Sequence, residues 1–223
     1  MQVGSVADAV GAAAAAARLG EGAAPDVLVL QGCDAGGHGL ARGAGVVALV
    51  PEVRDELERM GLGDILIMAA GGIADGRGVA AALALGASGA VMGTRFLASE
   101  EADIARGYRG EVVRAKDGGQ STVRTRIFDA LAGRADWPGQ YDGRSIINRS
   151  IEDDEAGISL EDNRRKFEEA LKMGDQGWGP DGRLTTYAGT AVGLIREVAP
   201  AERIVKESRA MALASLEGAF GMV

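Results

Sequence analysis

The first hundred residues alternate between apolar runs and helix-like stretches, and this alternation constrains the fold more than any other feature of the chain. The apolar runs are "MQVG", "DVLVLQG", "DILIMAAGG" and "GAVMGTRFL". The second run is continuously apolar, which is typical of a strand buried on both faces. Strands and helices that alternate at this spacing predict a parallel sheet covered by helices. Two architectures fit: a doubly wound open sheet, or part of a (β/α)8 barrel.

Capping and turn residues place the predicted helices between these strands. Ser5 precedes the first helix, with Asp8 three residues later as in a capping box. Pro51 is expected at the first position of the second helix. Asp75 is expected to cap the third helix. After residue 100 the pattern is mixed, and its clearest segments are two amphipathic helices, so we expect a mainly helical C-terminal region.

Composition excludes several classes of partner. The net charge of −8 does not provide the basic face that a nucleic acid requires. The alanine run "GAAAAAARLG" is too short to span a bilayer, and the N-terminus lacks the features of a signal peptide. One cysteine cannot form an internal disulfide, and one histidine with one cysteine makes a zinc site improbable. We therefore predict a cytoplasmic protein with no membrane, nucleic-acid or metal partner.

Two successive strand-to-helix turns are rich in glycine. "AAGGIADG" places Gly71 and Gly72 after the third strand, and "VMGTRF" places Gly93 and Thr94 after the fourth. Glycine tolerates positive φ and lets backbone N–H groups approach a ligand, and helix N-termini favour anions. Each turn alone is better explained by a tight strand-to-helix connection that requires glycine. The consecutive pair, with the Thr94 hydroxyl, favours a phosphate site.

The stretch "QGCDAGGHGL" contains the only histidine of the chain, His38. Gln31 ends a buried strand, where α/β enzymes place their working residues. Gly36 and Gly37 predict a sharply bent loop from which His38 projects. Histidine, with an unperturbed pKa of about 6.5, suits proton transfer near neutral pH. The alternative is an exposed loop histidine with no role.

Two other residues of this stretch, Cys33 and Asp34, have side chains that can take part in catalysis. Cys33 lacks a second histidine or other evident base to activate it, so we interpret it as a small packing residue. Asp34 is placed either to orient His38 or to cap the turn.

These motifs together resemble the nitronate monooxygenase family, formerly called 2-nitropropane dioxygenases, which are FMN enzymes on a (β/α)8 barrel. "QGCDAGGHG" is similar to the family motif QGxEAGGHxG, with Asp34 where glutamate is usual. "AAGGIADG" and "GASGAVMGTRFLASEEA" resemble its phosphate-binding turns and last strand. "STVRTRIFDALAG", "RSIINRS" and "YAGTAVGLI" resemble its C-terminal region. The resemblance covers the chain from Gln2 to about Leu216.

The resemblance implies oxidation of an alkyl nitronate with O2 on the flavin, giving nitrite and a carbonyl compound. It makes His38 the catalytic base or a hydrogen-bond donor to the substrate. Tyr187 would line the substrate pocket, although a core tyrosine is an equal alternative. The residues implied to bind FMN are Gln31, Gly32, Gly36, Gly37, Ala70, Gly71, Gly72, Gly93 and Thr94. Of these, Gly71, Gly72, Gly93 and Thr94 would surround the phosphate.

Only four barrel strands are evident, whereas a (β/α)8 barrel has eight strands and about 250 residues. By the resemblance they are the last four. We therefore expect residues 1–99 to be the second half of an FMN-binding barrel. Residues 100–223 would be a helical region that packs on the barrel and contributes to the substrate pocket. The chain would be a partial product that lacks an N-terminal half, or one that self-association or a partner completes.

Two rival functions stay open at this point. One is an NAD(P)H-dependent quinone or enoyl reductase on the same FMN barrel. The other is an inactive fragment, or a module that binds a phosphate ligand.

Overall fold

The computed structural model describes residues 1–19, 25–134 and 136–221. The strands of this part are β1 (Gln2–Val3), β2 (Val27–Gln31), β3 (Gly37–Leu40), β4 (Leu66–Ala70), β5 (Gly89–Val91), β6 (Thr122–Thr125) and β7 (Tyr141–Ile146). Its α-helices are α1 (Val6–Leu19), α2 (Val46–Arg59), α3 (Gly76–Ala84), α4 (Thr94–Leu97), α5 (Arg106–Arg114), α6 (Gly118–Ser121), α7 (Ile127–Leu131), α8 (Arg149–Glu155), α9 (Leu160–Lys172) and α10 (Ala201–Phe220).

The chain forms two compact units. The first unit consists of Met1–Ala35, Arg42–Gly93 and Glu202–Val223. The second consists of Gly36–Ala41 and Thr94–Ala201. These units divide the chain differently from the predicted domains, because β3 groups with the second unit and most of α10 with the first. The assignment of residues 1–99 and 100–223 to two domains stays a prediction.

The first unit contains the four predicted strands in one parallel sheet. Its order is β1-β2-β4-β5, and every neighbouring pair is parallel. The strands therefore follow one another across the sheet in chain order. A doubly wound sheet reverses its order at a switch point, whereas a (β/α)8 barrel does not. Of the two architectures that the sequence left open, the barrel is the one that matches this strand order.

The core of the first unit lies between this sheet and its helices. Leu28, Leu30 and Ile67 are fully buried. The helix α2 packs its apolar side against them through Leu49, Val50, Val53 and Leu57. Burying each such side chain contributes about 1.5–3 kcal/mol. The capping predictions at Ser5 and Asp75 are confirmed, since each side chain accepts a hydrogen bond from a backbone N–H of its helix.

The expected position of Pro51 is wrong. The helix α2 begins at Val46 after the N-cap Gly45, so Pro51 lies inside it. A proline there removes one backbone hydrogen bond. The apolar residues on both sides of Pro51, Val50 and Val53, are fully buried. The stability gained from this burial offsets the lost hydrogen bond. The helix therefore begins before Pro51 and continues through it.

The second unit contains strands that the sequence did not predict. The strands β3, β7 and β6 form an antiparallel sheet in that order. The helices α7, α8 and α9 surround a separate apolar cluster that includes Ile127, Phe128 and Phe167. The helices predominate as predicted, but this sheet positions the functional side chains described below.

Tyr108 of α5 supports a prediction on stability. Its hydroxyl donates a hydrogen bond to the backbone oxygen of Tyr187 at 3.0 Å, and burial raises its pKa to about 12. An unfolded tyrosine ionises near pH 10, so the folded state loses stability as the pH rises from about 10 towards 12. We expect Tyr108→Phe to cost about 1 kcal/mol at pH 7. Because Tyr108→Phe lacks the phenol, its free energy of unfolding should fall less than that of the parent when the pH is raised from 7 to above 10.

Urea unfolding of the parent and of Tyr108→Phe at pH 7 and pH 10.5 tests this expectation. An equal alkaline loss of unfolding free energy in both proteins would contradict it.

Candidate functional site

His38 lies on β3 of the second unit, so the predicted loop is instead a strand. In the antiparallel register His38 faces Gly143 of β7. A Cβ atom added at Gly143 would lie 2.8 Å from Cε1 of Tyr187. The glycine therefore makes room for the tyrosine ring next to the histidine.

A buried carboxylate holds the imidazole of His38. Its Nε2 lies 3.0 Å from Oδ1 and 2.9 Å from Oδ2 of Asp129, in the first turn of α7. Asp129 is 5% exposed, and the His38 side chain 12%. Carboxylates are rarely buried to this extent unless they are paired. The pair is therefore a specific element of the unit and not a surface contact.

Two aromatic rings enclose the histidine further. The indole of Trp137 stacks on the imidazole, with ring centroids 4.2 Å apart and an interplanar angle of 4°. The ring of Tyr187 lies 5.3 Å away and is tilted by 55°. Burial and then the charge of Asp129 raise the pKa of Tyr187 to about 12, although Arg134 opposes the shift. The Tyr187 hydroxyl is therefore protonated at neutral pH and able to donate a hydrogen bond.

Sequence reasoning did not select Asp129 or Trp137. Asp129 is 91 residues from His38 along the chain. The one local signal is that Asp129 is an acidic residue within the otherwise apolar helix "IFDAL". A carboxylate is rarely buried in a protein unless it is paired. Asp34, one candidate for orienting His38, packs in the first unit, where a Cβ atom added at Gly72 would lie 3.0 Å from its own Cβ.

In the first unit, the ends of β2 and β4 bring together several predicted cofactor residues. Gln31 ends β2 and Ala70 ends β4, and the two are register partners. The N–H of Gly32 donates to the Ala70 oxygen at 2.9 Å. A Cβ atom added at Gly32 would lie 2.9 Å from the backbone nitrogen of Val46, so this glycine permits close packing against the start of α2.

Gly71 and Gly72 form the turn that follows β4. Their φ angles are +104° and +73°, which favour glycine at both positions. The carboxylate of Asp75 already caps the N-terminus of α3 and forms an ion pair with Arg77. A phosphate group would therefore bind at the glycine turn itself and not at this helix N-terminus.

Gly93 differs from the other turn glycines. It is exposed and its φ lies outside the positive region, and a Cβ atom placed there would meet none of the described atoms within 4 Å. Neither the backbone conformation nor packing against the described residues requires a glycine at this position. Gly93 follows β5, and the carboxyl end of a parallel strand is where α/β folds bind ligands.

The other three predicted cofactor residues belong to the second unit. The Thr94 hydroxyl accepts a hydrogen bond from the N–H of Gly189 at 3.0 Å, so its own hydrogen can be donated elsewhere. A Cβ atom added at Gly36 would lie 2.6 Å from the Gly189 nitrogen, which provides a packing reason for this glycine. Gly37 has a φ of +73° and open space around it among the described residues.

The remaining chemistry of the described residues is limited. Residues 1–19, 25–134 and 136–221 contain no cluster of histidine, cysteine and acidic side chains that could hold a metal ion. In the same ranges, no helix combines the length and apolar composition needed to cross a membrane.

Comparisons with known proteins relate this geometry to one family. The family model described as nitronate monooxygenase matches residues 2–207. Nitronate monooxygenase npaC of Metarhizium robertsii is 54% identical over 217 residues, 97% of this chain and 58% of that protein. A nitronate monooxygenase of Neurospora crassa is 47% identical over 209 residues, 93% of this chain and 52% of that protein. The chain thus spans little more than half the length of these relatives.

Solved structures share the fold. FabK from Thermotoga maritima matches with a TM-score of 0.71 at 28% identity, over 100% of this chain and 63% of that one. A nitroalkane oxidase from Streptomyces ansochromogenes matches with a TM-score of 0.68 at 28% identity, over 97% of this chain and 58% of that one.

Proposed function

The chain belongs to the nitronate monooxygenase family, and on that premise we propose that it carries the phosphate site and the catalytic base of an FMN-dependent enzyme. The reaction is the oxidation of an alkyl nitronate with O2 to a carbonyl compound and nitrite. The observation that carries this proposal is the pairing of His38 with the buried carboxylate of Asp129.

The residues of the first unit fit a flavin phosphate. Gly71 and Gly72 expose backbone in a positive-φ turn, and Gly93 leaves a space that a side chain would fill. These glycines would hold the phosphate through backbone N–H groups. In the second unit, the Thr94 hydroxyl is proposed as a further donor to the cofactor. Gln31, Gly32, Gly36, Gly37 and Ala70 complete the proposed set of cofactor residues. The bound flavin supplies the electron transfer and the reaction with O2.

The second unit carries the proposed substrate chemistry. His38 takes a proton from the carbon of a neutral nitroalkane, or donates a hydrogen bond to the oxygens of a nitronate anion. The stacked indole of Trp137 covers one face of the imidazole and limits the access of water.

A cavity of about 390 Å³ in the second unit is the proposed place of the alkyl group. Phe128, Leu131 and Phe167 supply apolar walls, and Tyr187, Arg134 and Glu168 also line it. The volume is within the range of small-molecule sites. Tyr187 contacts the His38 ring as well, so the same side chain borders the cavity and the proposed base. These features favour small nitronates with an apolar chain.

The test combines flavin binding with an assay of nitronate oxidation and an assay of anaerobic flavin reduction. The purified chain is titrated with FMN, and O2 consumption and nitrite release are then measured with propyl-2-nitronate. We expect a flavin absorbance spectrum and turnover of the nitronate, and light scattering on the FMN-loaded protein reports self-association. Anaerobic reduction of the flavin by NADPH but not by the nitronate would instead assign a reductase. No flavin absorbance in the protein after addition of FMN and removal of free FMN by gel filtration would assign an inactive fragment or a module for another phosphate ligand.

A further inference from the structure

We propose that Asp129 is a positioning residue that holds His38 in the tautomer protonated at Nε2, so that Nδ1 is the atom that exchanges a proton with the substrate. The inference rests on the proposed role of His38 as the base. It assigns a function to a residue 91 positions away from the histidine motif.

The bidentate contact determines which nitrogen carries the hydrogen. Both oxygens of Asp129 lie within 3.0 Å of the same ring nitrogen, Nε2. A carboxylate accepts hydrogen bonds and does not donate them, so Nε2 is the donor. In a neutral imidazole the other nitrogen then carries the lone pair. The basic atom of His38 is therefore Nδ1.

The surroundings hold the ring in this orientation. Trp137 lies parallel to one face of the imidazole at 4.2 Å, and Tyr187 packs against it at a tilt. A rotation of the ring by 180° would move Nε2 away from Asp129. It would leave a 5% exposed carboxylate without this donor, and an unpaired buried carboxylate is strongly disfavoured. Stacking on Trp137 thus fixes the plane of the ring, and the charge of Asp129 selects its orientation within that plane.

The charge of Asp129 also acts on a second group that borders the histidine. It contributes to the raised pKa of Tyr187, with burial as the larger cause. Asp129 therefore favours a protonated phenol and an oriented imidazole at once. This is the arrangement that a positioning residue provides when it acts through its neighbours and does not contact the substrate.

The single histidine of the chain allows a direct test. Protein labelled with ¹⁵N-histidine gives nitrogen signals from one ring only. At a pH where the ¹⁵N shifts show a neutral imidazole, we expect Nε2 of the parent to have the shift of a protonated nitrogen and Nδ1 that of an unprotonated one. In Asp129→Asn, whose amide can donate or accept, we expect the two shifts to move towards each other as the tautomers mix.

The matched control removes another ion-paired carboxylate of the same unit. Asp153 pairs with Lys166 and Arg183 through Oδ2, at 2.8 Å each. Asp153→Asn should keep the ¹⁵N pattern of the parent. In a kinetic assay with neutral 2-nitropropane, whose carbon must lose a proton to His38, we expect Asp129→Asn to lower kcat roughly 10- to 100-fold with little change in KM, and Asp153→Asn to leave kcat unchanged.

The outcomes separate this inference from the proposed function. A parent ring protonated at Nδ1, or an Asp129→Asn variant with an unmixed Nε2–H tautomer and the parent kcat, would overturn the role of Asp129. If Asp129→Asn does not fold, the parent spectrum still decides the tautomer, and Asp129→Glu tests whether a carboxylate on a longer chain keeps it. A parent with the expected tautomer but no nitronate oxidation would defeat the proposed function alone.

Discussion

His38→Ala is expected to lower the rate of oxidation of 2-nitropropane, the neutral nitroalkane whose carbon must lose a proton, by about 10²- to 10⁴-fold, the usual contribution of a general base. FMN affinity should change little, because His38 is not among the residues proposed to bind the cofactor. Oxygen consumption with 2-nitropropane and a flavin titration measure the two properties separately. A loss of turnover together with a loss of flavin would indicate a folding defect.

A second variant controls for the loss of a donor to Asp129. Removing the imidazole leaves a buried carboxylate without the partner at 2.9 Å, which costs about 1–3 kcal/mol. His38→Gln keeps an N–H donor but cannot accept a proton near neutral pH. It should fold as stably as the parent in a thermal melt and be as inactive as His38→Ala. If His38→Gln oxidises neutral 2-nitropropane as fast as the parent, His38 is not the base.

Gly93→Leu is expected to weaken FMN binding by at least about 100-fold, because the side chain would occupy the space assigned to the phosphate group and remove charge-assisted hydrogen bonds. The fold should tolerate the change, since Gly93 is exposed, has no positive φ and has no described neighbour within 4 Å of an added Cβ atom. Absorbance or fluorescence titration with FMN measures the affinity, and circular dichroism checks the fold.

Gly11→Leu is the matched control for this substitution. Gly11 is an exposed residue of α1 in the same unit, and an added Cβ atom there also meets none of the described atoms within 4 Å. The Gly11→Leu variant should bind FMN with the affinity of the parent. Gly71 is less suitable for the test, because its φ of +104° and the backbone 3.0 Å away would strain any side chain. If Gly93→Leu binds FMN with the affinity of the parent, the phosphate does not bind at Gly93.

Local patterns were sufficient for the parallel part of the fold. The apolar runs that became β2 and β4 bury Leu28, Leu30 and Ile67 completely, and such runs can be recognised without knowledge of their partners. Asp75 was recognisable as a cap because a capping side chain bonds to its own helix. The predictions failed where distant packing outweighs local preference, as at Pro51 inside α2.

The order of strands and helices in the first unit can be read from the sequence alone, as can the two glycine turns and the one histidine that could transfer a proton. These features depend on contacts between residues close in the chain, or on residue type alone. The tertiary structure decided that "GHGL" is the strand β3, because its partner β7 lies about a hundred residues later. It also decided that Asp129 and Trp137 meet His38, since burial and pairing between distant segments leave no periodic trace in the sequence.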